Sequence, residues 1–432
     1  CINNLRPELS AYREWTPEKA TVQAQAADDA LAQAKDFGTL QGIPISVKDL
    51  YGVDGTQTFA GSPAPMPSPW QNEGDLIKTL RQQHAVFTGK THTVEFAFGG
   101  VGINSHWGTP QNPWDKHHHR APGGSSSGAG VSLCEGSALV ALGSDTAGSV
   151  RIPASVTGNV GLKTSYGRWP VTGVFPLSPT LDTTGILTRT VEDAVVAFSA
   201  IDPHQRSFGP RLARQVAQCQ PSDFVIGIGE RSLWEGCDPG ICETVDDAIK
   251  QLSKAGVHAI EATLPEVTPA IELLKIGSVA AAEIDEMLEA TAPGARDTLD
   301  PLVSSRIKEG GSISASEYLR RRRELRSLSR AANARFENCQ VIVSPTVAIT
   351  PPKVSDVQTI ETYRPKNLGM LRNTCGANYL SLCAITIPIG FDNAGMPVGL
   401  QLMAKHNHDE SLLAIASCME KILGSGASRL NC

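Results

Sequence analysis

The chain has 432 residues, with 41% apolar and 19% charged residues, a globular composition long enough to bury a large core. Its formal net charge of −6 gives no general attraction to nucleic acid or to an anionic membrane, so neither is expected as a partner. No apolar run approaches the roughly 18 residues of a membrane-spanning helix.

In chain order, the alanine-rich stretch "EWTPEKATVQAQAADDALAQAKDFG" predicts a helix, capped by Thr16, with Pro17 in its first turn and Gly38 as its stop. "GIPISVKDLYG" predicts a short strand, with Ile43, Ile45 and Val47 on one face and Ser46 and Lys48 on the other. "DLIKTLRQQH" predicts an amphipathic helix through Leu76, Ile77 and Leu80, and "AVFTGKT" a second strand. Strand, helix, strand implies a crossover unit in a parallel or mixed sheet. Residues 97–120 read as loop, "GSALVALGSD" as a buried strand, and "GSVRIPASVTG" as a short helix with Pro153 in its first turns. Residues 202–242 carry mixed signals and 243–338 read as mainly helical. "QVIVSPTV" predicts a strand, "SLCAITIPIG" and "PVGLQLMA" a strand pair joined by "FDNAG", and "ESLLAIASCMEKIL" a closing helix. These elements imply one large α/β domain with a helical excursion at about 202–338.

The ten cysteines are scattered without a CxxC pair, the pattern of reduced thiols in a cytoplasmic protein. Because the chain begins at Cys1 rather than Met, its true start is expected to lie further upstream. Several motifs point away from cofactors. "TGKT" at 88–91 has His84 where a P-loop needs glycine, and "GGSSSGAG" lacks the strand context of a dinucleotide fingerprint. His117, His118 and His119 are adjacent, so their rings do not converge on one ion, and they read as a solvated loop. In "YLRRRRELRSLSR", Leu319, Leu325 and Leu328 give an apolar helix side and Arg320 can pair with Glu324, the pattern of a solvated helix rather than an RNA site. No metal and no organic cofactor are expected.

The segment "APGGSSSGAGVSLCEGSALVALGSDTAGSVR" at 121–151 admits three readings: a linker, a phosphate cradle, or a serine nucleophile without histidine. No GxSxG elbow is present. Ser149 lies between a strand and a helix, where unpaired backbone amides and the helix end suit an oxyanion. Ala147 and Gly148 let a carbonyl come close. A buried neutral lysine can serve as base, and Lys48, at the end of an apolar strand, is the candidate.

"GIPISVKD", "PGGSSSGAG…GSDTAGSVRIPAS", "DTTGILTRTVEDA" and "IPIGFDNAGMPVGLQLMA" together resemble the amidase signature family over nearly the whole chain. "INNLRPELSAY" is similar to the tail of the family's opening helices, which implies that these are partly missing. The resemblance implies a large mixed β-sheet sandwiched by helices and a single amidase domain over 1–432. It implies a Ser–Ser–Lys triad of Ser149 as nucleophile, Ser125 as the bridging serine 24 positions earlier, and Lys48 as base. It also implies a cis peptide before Ser125, and an oxyanion hole of the Thr146, Ala147, Gly148 and Ser149 amides. Two departures stand out: Ser127 and Ala129 in the usual "GGSSGG" run, and Ala147 in the usual "TGGS". Asp145 and Arg151 read as a structural ion pair, Asp182 as structural, and Ser126, Ser127, Ser132, Ser137 and Ser144 as scaffold. Acyl specificity is expected from Ala97, Phe98, Gly99 and Gly100 and from the 202–338 excursion.

The activity implied is hydrolysis of a small carboxylic or urea-type amide through an acyl-enzyme. The alternatives are the glutaminase A subunit of a tRNA-dependent amidotransferase and a catalytically silent binding protein. A homodimer is left open.

Overall fold

The structure, a computed structural model, describes residues 7–208 and 211–426. Its centre is a mixed sheet of eleven strands. In chain order these are β1 (Tyr12–Trp15), β2 (Pro44–Lys48), β3 (Val86–Thr91), β4 (Val140–Asp145), β5 (Val160–Lys163), β6 (Thr183–Thr188), β7 (Val225–Ile228), β8 (His258–Glu261), β9 (Val341–Pro345), β10 (Cys383–Phe391) and β11 (Pro397–Ala404). Across the sheet the order is β1-β3-β2-β4-β6-β5-β10-β11-β9-β7-β8.

β2 lies between β3 and β4 and runs parallel to both. The crossover read from the sequence is therefore present, with the helix Asp75–Gln82 burying Leu76, Ile77 and Leu80. Ile45, Ser46, Val47 and Lys48 are all buried, so the expected alternation does not divide core from solvent. Parallel strands are covered on both faces. The parallel register, Ser46 opposite Ala141 and Val47 opposite Leu142, carries the C-terminal ends of β2 and β4 to the same edge of the sheet. That edge is where open α/β sheets place ligands.

The far half is built on the antiparallel pair β10 and β11. Ile385, Ile387, Leu400 and Leu402 are buried there, each worth about 1.5–3 kcal/mol of apolar burial. Their connection turns on Asp392, whose Oδ1 accepts the amides of Ala394 and Met396 at 2.9 Å each, a carboxylate-stabilised turn.

Some elements depart from expectation. The first helix spans Pro17–Ala32, and the chain already turns at Ala34 (φ 55°), short of Gly38. Thr16 does not cap it with its side chain; its hydroxyl donates to the Thr88 carbonyl instead, tying the helix start to β3. β8 interrupts the stretch read as mainly helical, and β7 and β8 extend the sheet at its edge. In the helix Ala315–Asn333, Leu319 is exposed, while Arg321 is buried and donates to the carbonyls of Ile276 and Ser278. Arg320 pairs with Glu324, as expected, and also with Glu317. Residues 1–6, on which part of the opening-helix expectation falls, lie outside the described residues. No described helix is long and apolar enough to cross a membrane.

Candidate active site

Lys48 ends β2 wholly buried. Its Nζ donates to Ser125 Oγ at 2.8 Å and to Ser144 Oγ at 2.9 Å. Burial disfavours the ammonium and pulls its pKa down to about 7, against the opposing pull of the Asp145 and Asp182 carboxylates. Lys48 is thus partly neutral near neutral pH.

Ser125 is also fully buried and follows a cis peptide bond from Gly124. Its carbonyl accepts the Val94 amide at 3.1 Å. The helix Ser127–Cys134 leaves directly from this segment, and its first seven residues are buried. Small residues are required there: a β-carbon at Gly128 would stand 2.0 Å from the Ala11 carbonyl oxygen.

Ser149 sits after β4, in the turn before the short helix Arg151–Val156. Its carbonyl accepts the Ser126 amide at 3.2 Å, which joins the Ser149 turn to the serine segment. Gly148 has φ of +133°, and a β-carbon on it would stand 2.1 Å from Thr374 Oγ1. Only glycine fits both constraints. The Thr374 hydroxyl in turn donates to the Ala147 carbonyl at 2.7 Å.

Asp145 and Arg151 form a buried two-point ion pair, at 3.0 and 3.1 Å. Burial alone would raise the Asp145 pKa, but Arg151 outweighs it and holds the carboxyl at about 2. The same carboxylate accepts the amides of Gly148 (2.7 Å) and Val150 (3.1 Å). The Gly148 amide, one of the expected oxyanion donors, is therefore already engaged by an acceptor. Asp182 accepts the Thr146 hydroxyl at 2.6 Å and the Leu177 and Ser178 amides at 2.9 Å each. Burial lifts its pKa to about 6.

Ser149 lines a cavity of about 420 Å³, together with Thr146, Ala147, Ala97, Phe98 and Gly99. Gly100 does not line it: its amide donates to Asn367 Oδ1 at 2.7 Å, behind the wall. From the 202–338 region come Leu274, Lys275, Gly277, Ala280, Arg306 and Glu309. A further wall comes from the helix Ile360–Leu371, through Arg364, Asn367 and Leu371, which the sequence reading missed. Ser144 was read as scaffold, yet its hydroxyl holds the lysine amine. His117, His118 and His119 are exposed, and no cluster able to hold a metal is found among the described residues.

The Amidase family profile matches residues 2–413 of this sequence. The chain belongs to the amidase family. Among curated amidase-family relatives, a 2-amino-5-chloromuconic acid deaminase of Comamonas testosteroni is 45% identical, covering 99% of this chain and 91% of the relative. The A component of a glutamyl-tRNA(Gln) amidotransferase from a Picosynechococcus species is 31% identical over 97% and 92% of the two chains. A solved structure described as an amidase superposes with a TM-score of 0.85 at 27% identity, covering 96% of this chain and 93% of that one. The eleven-stranded mixed sheet with its covering helices is thus an amidase fold, and the protein is an enzyme of the amidase class, a hydrolase acting on non-peptide C–N bonds.

Proposed function

We propose that the chain hydrolyses a small amide through an acyl-enzyme on Ser149, releasing acid and ammonia or amine. The observation that carries this reading is the buried Lys48–Ser125 hydrogen bond of 2.8 Å, in a serine segment whose Ser126 amide donates to the carbonyl of Ser149, a residue of the cavity wall. Ser149 passes its proton to Ser125, and Ser125 passes its own to neutral Lys48. As the Ser149 oxygen bonds to the carbonyl carbon, the carbonyl oxygen takes up negative charge. The amides of Thr146, Ala147 and Ser149 meet it, and the Gly148 amide joins only by leaving Asp145. Each such donor is worth roughly 3–4 kcal/mol in a well-studied protease. The relay then returns a proton to the departing nitrogen, the C–N bond breaks, and water cleaves the ester by the same route.

Residues 1–432 act as one amidase domain in this account, with the 202–338 excursion supplying one wall of the cavity. The deaminase relative supports ammonia as the leaving group. The amidotransferase relative supports a second reading, a glutaminase component that passes ammonia to a partner. Ammonia release separates the two. The purified chain alone is expected to release ammonia from small primary amides, with Ser149→Ala slower by about 10⁴-fold or more. Release that requires a partner protein or tRNA would overturn the stand-alone reading.

A further inference from the structure

Arg306 reaches the cavity from the helix Pro301–Gly311. Its guanidinium carbon lies 4.1 Å from the centre of the Phe98 ring and 5.7 Å from that of Tyr363. Two aromatic faces therefore fix its plane. Its hydrogen bonds run to backbone: Nη2 to the Phe98 carbonyl and Nε to the Leu302 carbonyl at 3.5 Å. Nη1 has no partner among the described residues. The other cations of the cavity do have acidic partners, Lys275 with Glu272 and Arg364 with Glu309. Arg306 forms no ion pair among the described residues. Burial also pulls its pKa below the ordinary guanidinium range, a penalty that a bound anion would relieve.

Its position relative to the relay is set by glycines. A β-carbon on Gly99 would stand 3.6 Å from Arg306 Nη2 and 2.5 Å from Tyr363 Oη. A β-carbon on Gly124, the residue before Ser125, would stand 2.8 Å from the Gly99 carbonyl oxygen. One thin glycine loop therefore separates the guanidinium from the serine segment. A planar guanidinium with a free edge, beside a small cavity, matches a carboxylate.

We propose that Arg306 binds a carboxylate of the substrate remote from the scissile C–N bond, so that the enzyme selects amides, and related small C–N compounds, that carry a free acid. This rests on the reading of the cavity as the place of the Ser149 chemistry.

The test is a calorimetric titration of the whole chain with adipate, and with dimethyl adipate as the neutral counterpart. Wild type is expected to bind adipate and not the diester, Arg306→Met to lose adipate affinity by about 30-fold or more, and Arg306→Lys to lose less. Adipate carries no C–N bond, so its binding does not depend on turnover, and a failure of the serine chemistry would leave this result standing. Equal affinity for acid and diester in wild type needs no variant and overturns the proposal, as does unchanged adipate binding in a folded Arg306→Met.

Discussion

In the proposed relay Lys48 can take a proton only when neutral, and its surroundings set how much of it is. With a pKa of about 7, its neutral fraction rises with pH, so kcat/KM is expected to climb about tenfold per pH unit below 7 and to level above it. Asp182 pulls that pKa upward. Asp182→Asn removes this pull, so the midpoint of the pH–rate profile is expected to move to lower pH; a shift to higher pH would contradict the assignment. The Asp145–Arg151 pair is a matter of stability rather than of proton transfer. Arg151→Met leaves a buried carboxylate without its partner and is expected to lower unfolding stability by about 3–5 kcal/mol at neutral pH, read from urea denaturation. Because the folded Asp145 pKa is depressed to about 2, the pair's contribution is present above the ordinary carboxylate range and is lost as pH falls towards 2. The deficit of the variant should shrink with it. Of these residues, Lys48, Ser125 and Ser149 stood out in sequence because their motifs are specific. Ser144 did not, because a serine on a buried strand carries no signal of what its hydroxyl will meet. Nor did the capture of the Gly148 amide by Asp145, since a carboxylate three positions away has several amides within reach.

At the scale of elements, the fold depends on how closely the Ser149 turn and the helix Ser127–Cys134 can approach their neighbours. Gly148→Ala would combine a left-handed φ with a β-carbon pressed against Thr374, whose hydroxyl holds the Ala147 carbonyl. We expect a loss of activity larger than its loss of stability, since the displaced turn carries Ser149; unaltered kcat/KM would contradict this. Gly128→Ala presses a methyl group on the Ala11 carbonyl and is expected to destabilise by about 1–3 kcal/mol, measured by thermal or urea unfolding. The long, strongly patterned elements were legible: the helix Asp75–Gln82, the parallel pair β2 and β3, and the hairpin of β10 and β11. The strands β1, β5, β7 and β8 were not, because each is four residues long, too short to show a period of two. The helix Ile360–Leu371 escaped because Pro365 lies inside it and its apolar residues keep to no single face.

At the scale of the whole molecule, the parallel register of β2 and β4 is what gathers the candidate catalytic residues. It sets the end of β2, with Lys48, beside the end of β4, from which the chain runs on to Ser149. Residues far apart in sequence meet at one edge of the sheet, and the helices of 267–311 and 360–371 close the cavity over them. The composition and family motifs made the class of fold legible, whereas the cavity walls were not, since they come from segments with mixed or helical patterns and no motif. The central claim is that Ser149 carries the acyl group. It is tested most directly by rapid acid quenching of the enzyme with a slowly turned-over aryl amide or ester, followed by peptide mass spectrometry. An added acyl mass is expected on the peptide containing Ser149, absent in Ser149→Ala and formed more slowly in Lys48→Ala. Turnover with no covalent adduct, or an adduct mapped to Ser125, would contradict it.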